Sequence, residues 1–149
     1  MGINKDILVG IWRDNNAGAE EYGYSISVKM AASYSMQDLA GTWYVMDIKT
    51  PQKDYSYPNH FGFDFGTLIL QSDGTGLYTC HTSSDPCEPP EDVSGFSISA
   101  DGIVTTPLWP NEAENFVMGE NKNIMIQIFR DNTPGDEHQV FSVFVKKAE

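Results

Sequence analysis

The sequence predicts an all-β protein: an eight-stranded antiparallel up-and-down barrel with an extra N-terminal β-hairpin. Two observations support this fold class. Short runs rich in Val, Ile, Phe and Tyr, many of them alternating with polar residues, are separated by Gly, Asn and Asp, which is typical of half-buried strands. Tight turns at Asp73-Gly74 and Asp101-Gly102 join consecutive runs, so neighbouring strands are antiparallel. Closing such a meander into a barrel removes its exposed edges.

The first barrel strand is predicted over residues 41–49, GTWYVMDIK, where aromatic and β-branched residues dominate. The next two strands, FGTLILQS at 65–72 and GTGLYTCHT at 74–82, flank the first Asp-Gly turn, in which glycine tolerates a positive φ. A turn of helix is expected over residues 35–39, just before the first strand. No other segment has a sustained helical period.

The second half of the barrel follows the same rule. VSGFSIS at 93–99 and GIVTTPL at 102–108 flank the second Asp-Gly turn. ENFVMGE at 114–120 and NIMIQIFRD at 123–131 are joined by another tight turn. The last predicted strand is HQVFSVFVKK at 138–147, and consecutive strands joined so closely are expected to be neighbours in one sheet.

The extra hairpin is predicted from an internal repeat. Residues 7–32 align without a gap with residues 124–149, and 11 of 26 positions are identical, including an Arg-Asp-Asn block. Because residues 124–149 supply the last two barrel strands, we interpret the N-terminal segment as a copy of that hairpin from a preceding unit. The offset of 117 residues predicts tandem units. The chain is thereby divided into a copied hairpin, a linker and one full repeat, at residues 1–30, 31–37 and 38–149.

The copied hairpin has one apolar face, because Tyr24, Ile26, Val28 and Met30 alternate with polar residues. A lone two-stranded hairpin is marginally stable in water. We therefore expect this face to cover either its own barrel or a neighbouring chain, and we predict a homodimer formed through the hairpin.

The segment Leu39-Ala40-Gly41-Thr42-Trp43 resembles the Gly-x-Trp motif that opens the first strand of lipocalins and the wider calycin families. The resemblance implies that Trp43 closes one end of the barrel and that Arg130 or Lys146 covers it through a cation–π contact. The second lipocalin motif, Thr-Asp-Tyr, is absent. The linker AASYS, the segment SADGIVT and the closing VKK are similar to tandem lipocalin-like repeats of secreted bacterial proteins, which have no assigned reaction.

An eight-stranded barrel either fills its lumen with side chains or leaves room for one small ligand. Strand alternation predicts which residues face inward, although it leaves Leu77 as the alternative to Tyr78. These residues either bind a small apolar ligand or pack together as a core. The predicted lumen residues are Trp43, Val45, Phe63, Phe65, Tyr78, Phe96, Ile126, Ile128, Phe141 and Val143.

Two cysteines, Cys80 and Cys87, stand close together in CHTSSDPC. A pair that closes a short loop predicts a disulfide and an oxidising compartment. Two reduced thiols, or a metal site that includes His81, are the alternatives. The disulfide favours a periplasmic or extracellular location, with any signal peptide outside this sequence.

The charge pattern restricts the partners. The formal net charge is -12, and between Asp54 and Asn121 there is no Lys or Arg but 11 Asp and Glu. Such a surface repels phosphate backbones and anionic lipid, and no apolar run is long enough for a membrane span. We predict no nucleic-acid partner and no membrane span.

Catalysis is not expected. His60, His81 and His138 lie in no recognisable catalytic or metal-binding motif. The oxygen-rich segment 131–137 lacks the spacing of a calcium loop, and turn chemistry explains it equally well. We predict a non-enzymatic structural or interaction role without metal or cofactor, with neighbouring repeats as partners; small-ligand binding is the alternative.

Overall fold

The structure is a computed structural model that describes residues 7–14, 21–49, 62–106, 115–131 and 138–148. These residues form a nine-stranded sheet, a separate two-stranded sheet and one turn of helix, so the all-β prediction is confirmed. The elements are β1 (Ile7–Asp14), β2 (Glu21–Val28), α1 (Met36–Leu39), β3 (Gly41–Lys49), β4 (Gly62–Leu70), β5 (Gly76–Ser83), β6 (Glu91–Val93), β7 (Ser97–Ile98), β8 (Ile103–Thr105), β9 (Asn115–Met118), β10 (Ile124–Asp131) and β11 (His138–Lys146).

The nine-stranded sheet is antiparallel, with the order β6-β5-β4-β3-β11-β10-β9-β8-β7. Consecutive strands are neighbours, as in a meander, except at the break between β6 and β7. The first and last strands of the meander, β3 and β11, pair with each other over seven residue pairs, from Lys49↔Val140 to Trp43↔Lys146. The sheet curls into a half-barrel. Strand β3 has the predicted bounds, whereas β4 begins at Gly62 instead of Phe65.

The prediction of a closed eight-stranded barrel is wrong. The predicted strand 93–99 is divided into β6 and β7, which form the two edges of the sheet. Between them the backbone turns at Gly95, where φ is +83°. The N–H of Phe96 donates to the carbonyl oxygen of Gly74, with N and O 3.1 Å apart, and the Phe96 side chain is buried in the core. The sheet therefore opens where one strand leaves the ladder to place an aromatic ring inside.

Trp43 lies at the centre of the core and has no exposed surface. Its indole Nε1–H donates to the carbonyl oxygen of Leu39 in α1 at 2.8 Å. The Lys146 ammonium lies 5.3 Å from the centre of the indole ring system and donates to the carbonyl oxygen of Asp38 at 2.9 Å. The expected cation–π cover is thus confirmed for Lys146, while the Arg130 side chain lies outside the described atoms.

The predicted turn of helix is confirmed as α1. Its first turn is held by the Asp38 carboxylate, which accepts bonds from the Ser35 backbone N–H at 2.8 Å and from the Lys122 ammonium at 3.0 Å. Desolvation is the largest influence on the Asp38 pKa and raises it, but the bonds from Lys122 and Ser35 together lower the pKa below its usual value. This links the linker end to the turn between β9 and β10.

The N-terminal hairpin has the same register as its C-terminal counterpart. Ile7 pairs with Val28 and Asp14 with Glu21; adding 117 to each number gives the β10–β11 pairs from Ile124↔Val145 to Asp131↔His138. Strands β1 and β2 share no ladder with the larger sheet. The hairpin is tied to it at its base, where the Glu120 N–H donates to the Lys29 carbonyl oxygen at 2.7 Å.

The predicted disulfide between Cys80 and Cys87 is confirmed, with the two Cα atoms 5.5 Å apart. It joins β5 to the segment that leads into β6. Both sulfur atoms are used in this bond, so neither alternative, reduced thiols or a cysteine metal site, applies.

Candidate binding surfaces of the curled sheet

The inner face of the sheet carries an unexpected row of polar side chains. Cross-strand pairing places Ser83 beside Asp64, Asp64 beside Asp47, Asp47 beside Ser142, and Ser142 beside Gln127. These five residues are here called the inner polar row and lie on the same face of the sheet as the core residues. In β5 a bulge between the pairs Phe65↔Thr82 and Gly66↔Cys80 shifts the alternation and brings Ser83 to this face. The row therefore crosses β5, β4, β3, β11 and β10 inside the half-barrel.

One end of the inner polar row is well satisfied. The Lys49 ammonium lies 2.6 Å from an oxygen of the Asp64 carboxylate, and the Ser83 hydroxyl donates to the other oxygen. A charge-assisted network of this kind is stable when every polar atom has a partner. In the middle and at the far end of the row, some buried polar atoms have no hydrogen-bond partner.

Asp47, Ser142 and Gln127 lie deeper in the sheet. Ser142 and Gln127 are 2% and 3% exposed. Within the described part of the chain, Oδ1 of Asp47 and Nε2 of Gln127 are buried and have no hydrogen-bond partner. An unpaired buried polar atom costs about 1–3 kcal/mol. The row thus holds one unmatched acceptor and one unmatched donor, separated by the width of β11.

The electrostatics of the row follow from burial. Desolvation raises the pKa of Asp47 to about 6; the neighbouring Asp64 carboxylate adds to this, while the Ser142 hydrogen bond and the Lys49 charge oppose it. The pKa of Tyr78 is raised to about 12, first by desolvation and then by the charges of Asp47 and Asp64. Burial thus favours the neutral forms of Asp47 and of the neighbouring Tyr78.

The outer face of the same strands is apolar over a continuous area. Pairing across β4, β3, β11 and β10 aligns three rows on this face. No position in them is charged, and Thr67 is the one polar member. We call these twelve residues the outer apolar face: Phe63, Ile48, Phe141 and Ile128; Phe65, Met46, Val143 and Ile126; Thr67, Tyr44, Val145 and Ile124.

Large side chains on this face are open to solvent. Tyr44, Met46, Ile48, Phe63, Phe65, Ile128 and Val145, with Ile69 beside them, are between 37% and 49% exposed. Ile126 is buried, and Phe141 and Val143 are partly buried. His81 lies at the border of the apolar area. The centre of its ring is 5.9 Å from the centre of the Phe65 ring, and its Nε2 atom is 3.2 Å from the Thr67 hydroxyl oxygen, with which it forms a hydrogen bond.

The structure separates the predicted lumen residues into two groups. Trp43, Val45, Tyr78 and Phe96 are in or against the core, and Tyr78 rather than Leu77 faces it. The assignment of the other six to the lumen is wrong, because they lie on the outer apolar face: Phe63, Phe65, Ile126, Ile128, Phe141 and Val143.

Register explains this correction. In β4 the large residues Phe63 and Phe65 alternate with Asp64 and Gly66, so residue size alone favours Phe inside. Pairing with β3 instead places Gly66 beside Val45, and a Cβ at position 66 would come within 2.9 Å of the Tyr78 ring. Gly66 leaves the interior space that Tyr78 fills, and the one-residue difference in parity places both phenylalanines of β4 on the outer face.

Sequence reasoning also missed the inner polar row. A signal was present in the first barrel strand, since Trp43-x-Val45-x-Asp47 places a carboxylate on the same face as two core residues. Gln127 and Ser142 could not be recognised in this way, because their strands have apolar residues of both parities. Their position depends on the pairing of β11 with β3.

Among the described residues, no group of three or more His, Cys, Asp or Glu could hold a metal ion. The predicted turn segment 131–137 and His60 lie outside the residues whose side chains are described. No helix in the described ranges is long and apolar enough to span a membrane.

Comparison with known proteins does not identify a relative. The sequence matches no protein-family model, and no curated protein matches it. The features that bear on function are therefore the two faces of the sheet and the repeated hairpin.

Proposed function

We propose that this protein is a non-catalytic module of a tandem-repeat protein exported by a bacterium, with a structural or interaction role. The observation that carries the proposal is the repeated hairpin. Residues 7–28 and 124–145 have corresponding sequences and the same strand register at an offset of 117. Lipocalin-like units in series would place such a hairpin at the end of each unit.

Other features support this role. Hairpin β1–β2 forms its own sheet, as expected for the end of a preceding unit. Among the described residues, its base is joined to the larger sheet by the Lys29–Glu120 ion pair at 2.6 Å and by the bond from the Glu120 N–H to the Lys29 carbonyl oxygen. The bonds of the Tyr34 hydroxyl to the Ala31 N–H and the Met118 carbonyl oxygen lie within residues 31–149. The Cys80–Cys87 disulfide favours an oxidising compartment.

Removing the N-terminal hairpin tests the unit boundary. A chain of residues 31–149 is expected to fold with a free energy of unfolding within about 2 kcal/mol of the full chain. It loses an exposed ion pair, which contributes little, and one backbone hydrogen bond, worth about 1 kcal/mol. Urea unfolding followed by tryptophan fluorescence and circular dichroism measures this difference. The matched control removes the other copy, residues 124–149, and is expected to abolish folding since β10 and β11 are interior strands. If residues 31–149 fail to fold, the proposed division into units is wrong.

Binding of a small molecule is a second candidate function, favoured by the unmatched atoms of Asp47 and Gln127. A ligand with a neutral head that donates to Oδ1 of Asp47 and accepts from Nε2 of Gln127 would satisfy both. A primary or secondary amide has this combination. Such a head, with an apolar body, differs from the purely apolar ligand that the sequence alone suggests.

Native mass spectrometry of the protein as purified, without delipidation, tests the second candidate. Bound ligand would add a mass of a few hundred daltons that survives gentle desolvation. The adduct should be lost in Gln127→Leu, which removes the unmatched donor, and kept in the outer-face variant Met46→Lys. A spectrum with only the mass of the polypeptide, or an adduct indifferent to Gln127→Leu, would remove this candidate.

A further inference from the structure

The exposed area of the outer apolar face is at the upper limit of what a monomer exposes as one apolar patch. Eight large side chains on and beside it are each 37% to 49% exposed. At about 200 Å² for a side chain of this size, they expose on the order of 600 Å² together. The largest apolar patch of a monomer is about 300–600 Å², and a standard stable interface buries about 800 Å² per partner. With its polar border, the face has the composition of one half of an interface, and its eight exposed side chains supply about three quarters of the area of a standard one.

The N-terminal copy of the hairpin has apolar residues at the positions that correspond to this face. The six positions that β10 and β11 contribute to the outer apolar face are all apolar, and so are the six residues that correspond to them in the N-terminal copy. The inner positions are less uniform: Ser25 and Ser142 are identical, but Gly10 corresponds to Gln127, Gly23 to Val140 and Ser27 to Phe144. The outer residues of the copy are Ile7, Val9, Ile11, Tyr24, Ile26 and Val28.

The charges of the chain limit which kind of molecule can cover the outer apolar face. The chain has a net charge of -12, so an anionic membrane would be repelled. The twelve positions of the face contain no carboxylate that would select a basic partner. An uncharged apolar surface can pack against a second copy of itself without burying an unpaired charge, which suits a two-fold interface that uses the same patch on both subunits.

We infer that the outer apolar face of β4, β3, β11 and β10 is a homotypic docking surface, whose partner is the same face of a second copy of this chain. This inference deepens the proposed interaction role and rests on it. Met46 and Val143 occupy the middle of the face and become the centre of the interface. The N-terminal hairpin is not required for this contact.

Sedimentation velocity on the full chain, from about 1 µM to about 500 µM, tests the inference by measuring the dimer dissociation constant. Met46→Lys is expected to weaken dimerisation at least tenfold, because it places an ammonium in the centre of the interface. The substitution makes the net charge less negative, so added repulsion between subunits cannot explain the loss. Met30→Lys is the matched control, since Met30 is another exposed methionine outside the face, and it should leave the dissociation constant unchanged.

Circular dichroism of each variant establishes that it is folded. A second variant, Met46→Cys, should form a disulfide-linked dimer under mild oxidation, while Met30→Cys should not. The inference is overturned if the wild type stays monomeric throughout the series, or if it remains monomeric and binds phosphatidylcholine vesicles instead. It is also overturned if Met30→Lys rather than Met46→Lys breaks the dimer, because the hairpin is then the interface. Those outcomes leave the unit boundary intact, which the 31–149 chain tests separately.

Discussion

Trp43→Ala is expected to lower the free energy of unfolding by about 4 kcal/mol, the usual cost of deleting a fully buried tryptophan. Trp43 has no exposed surface, so the substitution leaves a cavity among the surrounding core side chains. It also removes the donor to the Leu39 carbonyl oxygen and the aromatic surface beneath Lys146. Since small domains are stabilised by about 5–15 kcal/mol in total, much of the variant should be unfolded at moderate urea concentrations.

Urea denaturation followed by circular dichroism measures this loss. Tyr44→Ala is the matched control, because Tyr44 is the next residue in β3 but is 41% exposed on the outer face. At protein concentrations where the chain is monomeric, it should cost less than about 1.5 kcal/mol. Equal losses for the two variants would contradict the assignment of Trp43 to the core and of Tyr44 to the outer face.

The second large effect is a pH dependence that originates in the inner polar row. Burial raises the pKa of Asp47 from 3.8 to about 6, so the folded state binds this proton more tightly than the unfolded state. The contribution of Asp47 to the free energy of unfolding is therefore most favourable below about pH 4 and is lost as the pH rises to about 6. A shift of this size corresponds to about 3 kcal/mol. Asp64, Lys49 and Tyr78 are the titratable groups that interact with this carboxylate.

Asp47→Asn should abolish this dependence, because the amide is neutral at every pH. Compared with the wild type, the variant should be more stable by about 2 kcal/mol at pH 7 and nearly equal in stability at pH 4. Urea unfolding of both proteins between pH 4 and pH 7 measures the difference. Asp73→Asn is the control: Asp73 is fully exposed, and bonds from Thr75 lower its pKa, so its replacement should leave the fall between pH 4 and pH 6 in place. A wild type with constant stability across this window would contradict the burial of Asp47.

Local sequence patterns were sufficient for several parts of this structure. The Asp-Gly turns, the alternating apolar runs and the Gly-x-Trp motif predicted an antiparallel meander that begins at Gly41, and β3 has the predicted bounds. The short spacing between Cys80 and Cys87 predicted their disulfide. These features depend on residues close together in the chain, where backbone preferences and loop length act directly.

The faces of the strands were decided by pairing between distant segments. In β4, β10 and β11, apolar residues occur on both faces of the strand. The sequence pattern of one strand therefore does not show which of its faces is buried. The pairs Trp43↔Leu68 and Trp43↔Lys146 set the parity of β4 and β11 from the one buried tryptophan. This parity placed Phe63 and Phe65 outside and brought Asp47 and Gln127 inside.

The sequence by itself thus determined the strand content, the turns, the disulfide and the repeat at an offset of 117, because each depends on local chemistry or on direct comparison of two segments. Only the tertiary structure decided where the sheet opens, which face is buried and which polar atoms lack partners. The opening at Gly95 depends on the position of the Phe96 ring in the core. The choice of the buried face and the lack of partners for certain polar atoms both depend on cross-strand register. This register is set by the packing of all strands together and is not encoded in any single strand.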